Sequence, residues 1–416
     1  MALGGKADIG NQQDRRFHFR NGTMDFDAGW ILGYSQLGGL APGEVFECFN
    51  AIRDGDPDSW VRVFTDMADR QESAARQDST PVPAGSRYLA AAVAARAAWH
   101  LVDPNTDRAK VLLAQLERCF QASLAESGSP FAPISVATAA GTLPGYTTAP
   151  IDGSSDEPAD WYVVVGGGDT FREDLYFFGG ARAAAQGYQV LLIDLPGQGS
   201  TPYAGLHFGE STVLALREIL TRLRSNWPAA RIVLTGYSGG GYFTVKALDD
   251  PDTAAATRID ALVASTPVSD IALLLERAMP AVLRRRPDGH LARWATTLAG
   301  RINPVMRTAI DKYRWQFGTE WIGEILPLAS AAGVVATANL DLPLLAIVGE
   351  SEPAEAERQA LLIFDELAAR QPRSRLVRFQ RWTGADAHCQ VNNLRLAHDT
   401  IFAWLQDVLG PRPGIS

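Results

Sequence analysis

The chain has 416 residues, enough for two or three domains of ~100–200 residues each, and its 38 Lys and Arg against 47 Asp and Glu leave a net charge of −9 and a pI near 5.3. An acidic chain without a long basic run repels phosphate backbones, which argues against nucleic acid as a partner. Cys48, Cys119 and Cys389 lie far apart without CxxC spacing, a pattern that fits reduced thiols in a cytoplasmic protein and neither a disulfide framework nor a zinc site.

The first residues, MALGGKADIGNQQDRRFHFR, have charges but no apolar stretch behind them, and no later apolar run nears the ~20 residues needed to cross a bilayer. Neither a leader nor a membrane span is expected. From about 42 to 127 four segments, PGEVFECFNAIRD, PDSWVRVFTDMADRQESAARQ, GSRYLAAAVAARAAWHLV and TDRAKVLLAQLERCFQASLAES, place apolar residues three and four apart, which predicts helices. Pro42 and Pro57 suit first helical turns, and no pattern recurs at a fixed period, so a repeat array is excluded. Residues 1–129 therefore read as an all-helical domain.

The texture changes near 130. ISVATA and GYTTAP read as short strands around a Gly-Thr-Leu-Pro turn, followed by the apolar runs WYVVV, YQVLLID, RIVLTG, IDALVAST and LPLLAIVG, with helical stretches at 174–186, 209–225 and 240–249. Strands buried on both faces lose polar alternation, and alternation with helices calls for a mostly parallel sheet with helices on both faces. Residues 130–416 form this α/β domain, with a helical stretch at about 271–335 that reads as an insertion or as an ordinary pair of crossover helices with a long loop.

RIVLTGYSGGGYFTVKAL (231–248) breaks from a strand into glycines around Ser238 and resumes as a helix. A strand-turn-helix with small residues at 236 and 240 can hold a serine hydroxyl out at the C-terminal edge of a sheet, with the Gly239 amide aimed at an oxyanion. Serine needs a base to take its proton, and histidine is the usual one. His18 is in the N-terminal tail, His100 and His398 are in helical patterns, His207 is in a loop and His290 stands among arginines. His388 alone occupies a loop between the last strand, SRLVRFQRW, and the last helix. An acid to orient the imidazole is expected at the C-terminal end of the preceding strand: Glu352 is preferred, Glu350 is the alternative, and Asp341 is at the wrong end. Asp386 reads as a loop or capping residue. The glycines after WYVVV make Gly167 and Gly168 candidates for the second oxyanion donor. No G-x-G-x-x-G stands at a strand-helix junction with a suitable downstream acid, so a dinucleotide cofactor is not expected, nor any metal.

GGGDTFREDLYFF, GYQVLLIDLPGQGS, GYSGGGY, VGESE and GADAHCQVNNLRLAHDTIFAWL resemble the α/β-hydrolase superfamily, and within it the branch of 2,6-dihydroxypseudooxynicotine hydrolase, fungal polyketide-shortening hydrolases and FrsA-like esterases. The resemblance covers most of 130–410, and the N-terminal helices resemble that branch's helical cap domain. It implies a Ser-Asp/Glu-His hydrolase without metal or organic cofactor, in which some members cleave a carbon-carbon bond next to a ketone. The matching positions are Ser238, the acid of GESE and His388. Glu stands where many hydrolases have Asp, and the His-Gly-Gly oxyanion loop of lipases is missing. Some members use a cap-side carboxylate, a role for which Asp270 and Glu276 are candidates beside the plainer one of helix-start residues. Trp30, Trp60, Trp315 and Trp321 can line a pocket for an aromatic or polyketide-derived substrate or fill the core. A small-molecule substrate, no membrane and a homodimer through the cap are the expected partnerships. A cyclase or lyase without net hydrolysis and a non-catalytic binding module are the competing readings.

Overall fold

The computed structural model describes residues 16–154, 160–279, 284 and 289–410. The N-terminal fifteen residues and part of the Arg-rich segment RRRPDGHLAR fall outside them. The chain divides into two compact units.

One unit comprises the described residues of Met1–Ser129 with Ala278–Trp315 and Thr319–Ile325. Its helices include α1 (Gly22–Ser35), α2 (Pro42–Ala51), α3 (Pro57–Gln77), α4 (Pro81–His100), α5 (Asp107–Glu126) and His290–Ile302. Helix α4 packs between α3 and α5. Its alanine run, Ala90–Ala98 broken by Val93 and Arg96, is buried, and short side chains let the flanking helices approach closely. Trp60 donates its indole N–H to the Ala97 carbonyl at 2.8 Å and lies against Phe19, Phe49 and Phe64. Glu72 of α3 accepts from Arg118 and Gln115 of α5 at 2.9–3.0 Å, so the buried carboxylate is paired, as it must be. Trp30, Trp60 and Trp321 are buried in this unit.

Helix α1 is a finding the sequence pattern did not predict. GTMDFDAGWILGYS carries three glycines and no apolar stripe. It is buried on most sides, so tertiary packing overrides weak propensity. A Cβ on Gly29 would stand 2.6 Å from the Phe17 ring.

The other unit comprises the described residues of Pro130–Arg277, Gln316–Gly318 and Leu326–Ser416. Its eight strands are β1 (Ala132–Thr138), β2 (Gly141–Thr147), β3 (Trp161–Val165), β4 (Gln189–Ile193), β5 (Ile232–Tyr237), β6 (Ala261–Ser265), β7 (Leu344–Gly349) and β8 (Arg375–Phe379). They form one sheet in the order β1-β2-β4-β3-β5-β6-β7-β8. The β1-β2 and β2-β4 pairs are antiparallel and the other pairs parallel. Strands β3, β5, β6 and β7 are buried along their whole length, which is why they read as unbroken apolar runs.

The first hairpin corrects the expected turn. Thr138 pairs with Gly141, so the turn is Ala139-Ala140 and Gly-Thr-Leu-Pro lies inside β2. Pro144 lacks an N–H, but its carbonyl accepts from Asp194 N–H at 3.1 Å, so it serves the sheet as an acceptor. Between β6 and β7 the chain forms helices Ile271–Ala278, His290–Ile302, Pro304–Phe317 and Ile325–Ala331. Among the described residues no helix is long and apolar enough to cross a membrane.

Parallel pairing aligns the strand ends that matter. Val165 faces Gly236, Tyr237 faces Ser265, and Gly349 faces Phe379. The segments that follow β3, β5, β6, β7 and β8 thus leave the sheet at one edge, where an α/β sheet binds ligands.

Candidate active site

Ser238 stands between β5 and helix Gly239–Leu248 with φ 58° and ψ −124°, a left-handed conformation that costs a non-glycine residue energy and projects its side chain. Its small neighbours are required by space. A Cβ on Gly236 would meet the Gly240 carbonyl at 2.3 Å, and one on Gly240 the Val165 carbonyl at 2.4 Å.

His388 lies 150 residues away in sequence, yet its Nε2 is 2.9 Å from Ser238 Oγ. Its Nδ1 is 2.8 Å from Glu352 Oε2. The other carboxylate oxygen, Oε1, accepts from Thr266 Oγ1 at 2.5 Å, so both oxygens of the buried acid are engaged. Burial disfavours the charged imidazole, but the neighbouring Cys389 and Glu352 side chains favour it more, and the His388 pKa lies well above its ordinary 6.5.

The alternative acids point elsewhere. Glu350 accepts from the Arg381 N–H at 2.9 Å, and Asp341 from Gln371 Nε2 at 2.6 Å. Asp386 holds its loop through Ser351 Oγ at 2.7 Å and Asn392 Nδ2 at 3.0 Å. Asp270 accepts from the Leu273 N–H at 2.9 Å, at the start of helix Ile271–Ala278, which is the capping role. Glu276 lies within that helix.

Gly167 abuts the serine. A Cβ there would stand 2.5 Å from Ser238 Cβ, 2.6 Å from the Gly239 nitrogen and 2.8 Å from Ser238 Oγ. The Gly239 position in turn has the Gly168 nitrogen 3.6 Å from where its own Cβ would be. Gly167 and the Gly239 nitrogen therefore lie close to the Ser238 side chain, and the Gly168 nitrogen lies near Gly239. The edge of Phe243 also lies 3.6 Å from that Gly239 position, and Phe243 continues through Phe208 to Phe317 at ring separations of 5.7 and 5.2 Å.

The remaining histidines have other surroundings. His100 pairs with Asp27 at 3.1 Å, and His290 is exposed. Burial, with a contribution from Arg182, pushes the pKa of His398 down to about 4. Burial pushes the thiols of Cys48 and Cys119 up to about 12, so they are inert.

Sequence reasoning missed three side chains around this site. Thr266 holds Glu352. Gln198 donates to the carbonyls of Gly166 and Gly167, and Gln316 to those of Gly168 and Gly197. Gln198 stands in the GYQVLLIDLPGQGS motif, but which loop it meets depends on β4 lying beside β3.

A serine on a strand-turn-helix at the edge of a mostly parallel sheet, within hydrogen-bonding distance of a histidine that follows a later strand, fits the alpha/beta hydrolase family, and the chain belongs to it. The model of the alpha/beta hydrolase family matches residues 153–399. Among curated relatives, hydrolase acrC of Aspergillus aculeatus is 26% identical over 71% of this chain and 74% of its own length. Hydrolase LUC6 of Fusarium sp. is 26% identical over 95% of this chain and 98% of its own. The solved structure of 2,6-dihydroxy-pseudo-oxynicotine hydrolase superposes with a TM-score of 0.63 over 91% of this chain and 95% of that one, at 18% identity. At that identity the likeness concerns the fold.

Proposed function

We propose that the protein is a serine hydrolase that works through Ser238, His388 and Glu352 on a carbonyl of a small aromatic or polyketide-derived substrate. The observation that carries this reading is the pair of hydrogen bonds running from Glu352 through His388 to Ser238 Oγ. His388 takes the hydroxyl proton as Ser238 attacks the carbonyl carbon. The amides of Gly239 and of Gly167 and Gly168 receive the oxyanion, and His388 then returns the proton to the leaving group. Water, activated by the same imidazole, releases the acid and restores Ser238. With an ester the leaving group is an alcohol. With the carbon-carbon bond of a 1,3-diketone, the bond between the attacked carbonyl carbon and the α-carbon of the second ketone breaks, and the leaving group is that ketone's enolate, which the imidazolium protonates at carbon.

The aromatic preference is supported by Phe243, whose ring lies 3.6 Å from where a Cβ on Gly239 would stand and packs through Phe208 towards Phe317, since apolar aromatic surroundings favour apolar ligands. The similar fold of 2,6-dihydroxy-pseudo-oxynicotine hydrolase makes 2,6-dihydroxy-pseudo-oxynicotine one compound to screen.

The test is intact-protein mass after incubation with a fluorophosphonate. The wild type should gain one adduct, Ser238→Ala none, and His388→Ala should label far more slowly. A well-folded wild type that gains no adduct would overturn the reading.

A further inference from the structure

Three polar side chains tie the loop after β3 to its surroundings, and one of them holds two of its carbonyls. Gln198, 1% exposed, donates from Nε2 to the Gly166 carbonyl and, at 3.1 Å, to the Gly167 carbonyl. Its Oε1 accepts from the Leu195 N–H at 2.9 Å. This orientation is dictated by chemistry. Two carbonyls take only the amide NH2 group, and a backbone N–H takes only the oxygen. Arg172 adds a second tie between the same two loops, bonding Asp194 Oδ2 and Ser200 Oγ at 3.1 Å each. Gln316 Nε2 adds a third, to Gly168 O and, at 3.2 Å, to Gly197 O.

In a trans peptide the carbonyl and the following N–H point in opposite directions, and the described residues contain no cis bond. Holding the carbonyls of 166 and 167 therefore turns the N–H groups of 167 and 168 away from Gln198. Gly167 packs against Ser238 and the Gly168 nitrogen lies near Gly239, so the two amides released belong to residues that adjoin the serine turn. A glycine loop left to itself would sample either peptide orientation, because glycine tolerates both.

We propose that Gln198 is a positioning residue for the oxyanion site: it acts through the Gly166 and Gly167 carbonyls to keep the Gly167 and Gly168 amides aimed at the developing negative charge. The proposal rests on the serine-hydrolase reading above. Gln198 does not itself touch the reacting atoms. Its contribution is preorganisation, so its loss raises the transition state more than it weakens substrate binding.

The experiment uses the full chain with Gln198→Met, which keeps length and removes both donors, and Gln198→Glu, which keeps the acceptor for Leu195 and loses the donors. Kinetics on a p-nitrophenyl ester, the inhibition constant of an aryl trifluoromethyl ketone, the rate of fluorophosphonate labelling and Tm are measured on each. In a variant that retains a cooperative melt, kcat should fall about 10²-fold, the scale of losing one oxyanion donor. KM should stay within about threefold, and the ketone, whose adduct is an oxyanion, should bind weaker in parallel with kcat. A folded variant with kcat and ketone affinity near wild type, or with KM rising as kcat stays put, overturns the proposal. If both variants fail to melt cooperatively, Gln198 is a stability residue and the proposal is likewise overturned. If the wild type takes no adduct, or Ser238→Ala stays active, the serine reading itself fails and this inference falls with it. If the wild type labels and the Gln198 variants label equally fast, this inference alone fails.

Discussion

Replacing Glu352 by glutamine tests the acid with little change in shape. Thr266 donates to Oε1 at 2.5 Å, and a glutamine at 352 would keep that bond by offering its carbonyl oxygen. Its NH2 group would then occupy the Oε2 position and face His388 Nδ1, now 2.8 Å from a carboxylate oxygen. A donor at that place makes Nδ1 the acceptor and puts the imidazole proton on Nε2, the atom 2.9 Å from Ser238 Oγ. The base would present a proton where it must accept one. In serine hydrolases this wrong-tautomer effect costs about 10⁴ in kcat, or about 5 kcal/mol of transition-state stabilisation. Glu350→Gln is the matched control: its partner is the Arg381 N–H, which an amide oxygen serves equally well, so kcat should stay within about threefold of wild type. Steady-state kinetics on an activated ester decide between them. A large loss in Glu350→Gln with activity retained in Glu352→Gln would refute both the assignment and the tautomer reasoning.

The acid limb of kcat/KM should lie above pH 6.5, because the His388 pKa is raised and only the neutral ring accepts the Ser238 proton. Removing the charge in Glu352→Gln should move the limb of the residual activity to lower pH; a limb that stays in place would count against Glu352 as a cause of the raised value. The same raised value means that His388 stabilises the fold fully below pH 6.5 and loses that contribution as pH rises through its folded-state pKa. Gly167→Ala should lower kcat by about 10² or more, since its Cβ would stand 2.5 Å from Ser238 Cβ and 2.6 Å from the Gly239 nitrogen; a fully active, folded variant would show that the loop does not approach the serine as described. His398, whose pKa falls to about 4 on burial, contributes stability above pH 6.5 that is lost between there and about pH 4, about 3 kcal/mol over the interval. His398→Leu should flatten that part of the pH–stability curve in urea titrations, and an unchanged slope would contradict it.

The features legible in the sequence obey local constraints. The elbow at Ser238 is legible because a positive-φ turn between a strand and a helix needs small neighbours within two residues on either side, and Gly236 and Gly240 supply them. The continuous apolar runs of β3, β5, β6 and β7 are legible because burial on both faces leaves one composition. Helix α1 was not, since its glycines and scattered apolar residues give no period until the surrounding side chains are in place. The Gly-Thr-Leu-Pro segment misled for a related reason: proline looks like a turn residue, but in β2 its missing donor is harmless while its carbonyl serves β4.

The choice between Glu350 and Glu352 shows where local reading stops. Both follow β7, and two residues of separation do not decide which carboxylate reaches a histidine 36 residues further on. The Glu352 N–H closes a turn onto the Gly349 carbonyl at 3.1 Å, while the Glu350 N–H continues the pairing with β8 through Phe379 at 2.9 Å. The chain therefore leaves the sheet between the two, sending one side chain along the edge strand and the other inward. Thr266 and Gln198 lie further beyond local reading, because their partners are 86 and 31–32 residues distant and meet them only through strand order. The serine, histidine and acid of the proposed triad are thus written in short motifs, whereas the side chains that hold their surroundings are distributed over neighbouring strands. Substitutions at Thr266, Gln198 and Gln316 should accordingly lower kcat while leaving every recognisable motif intact.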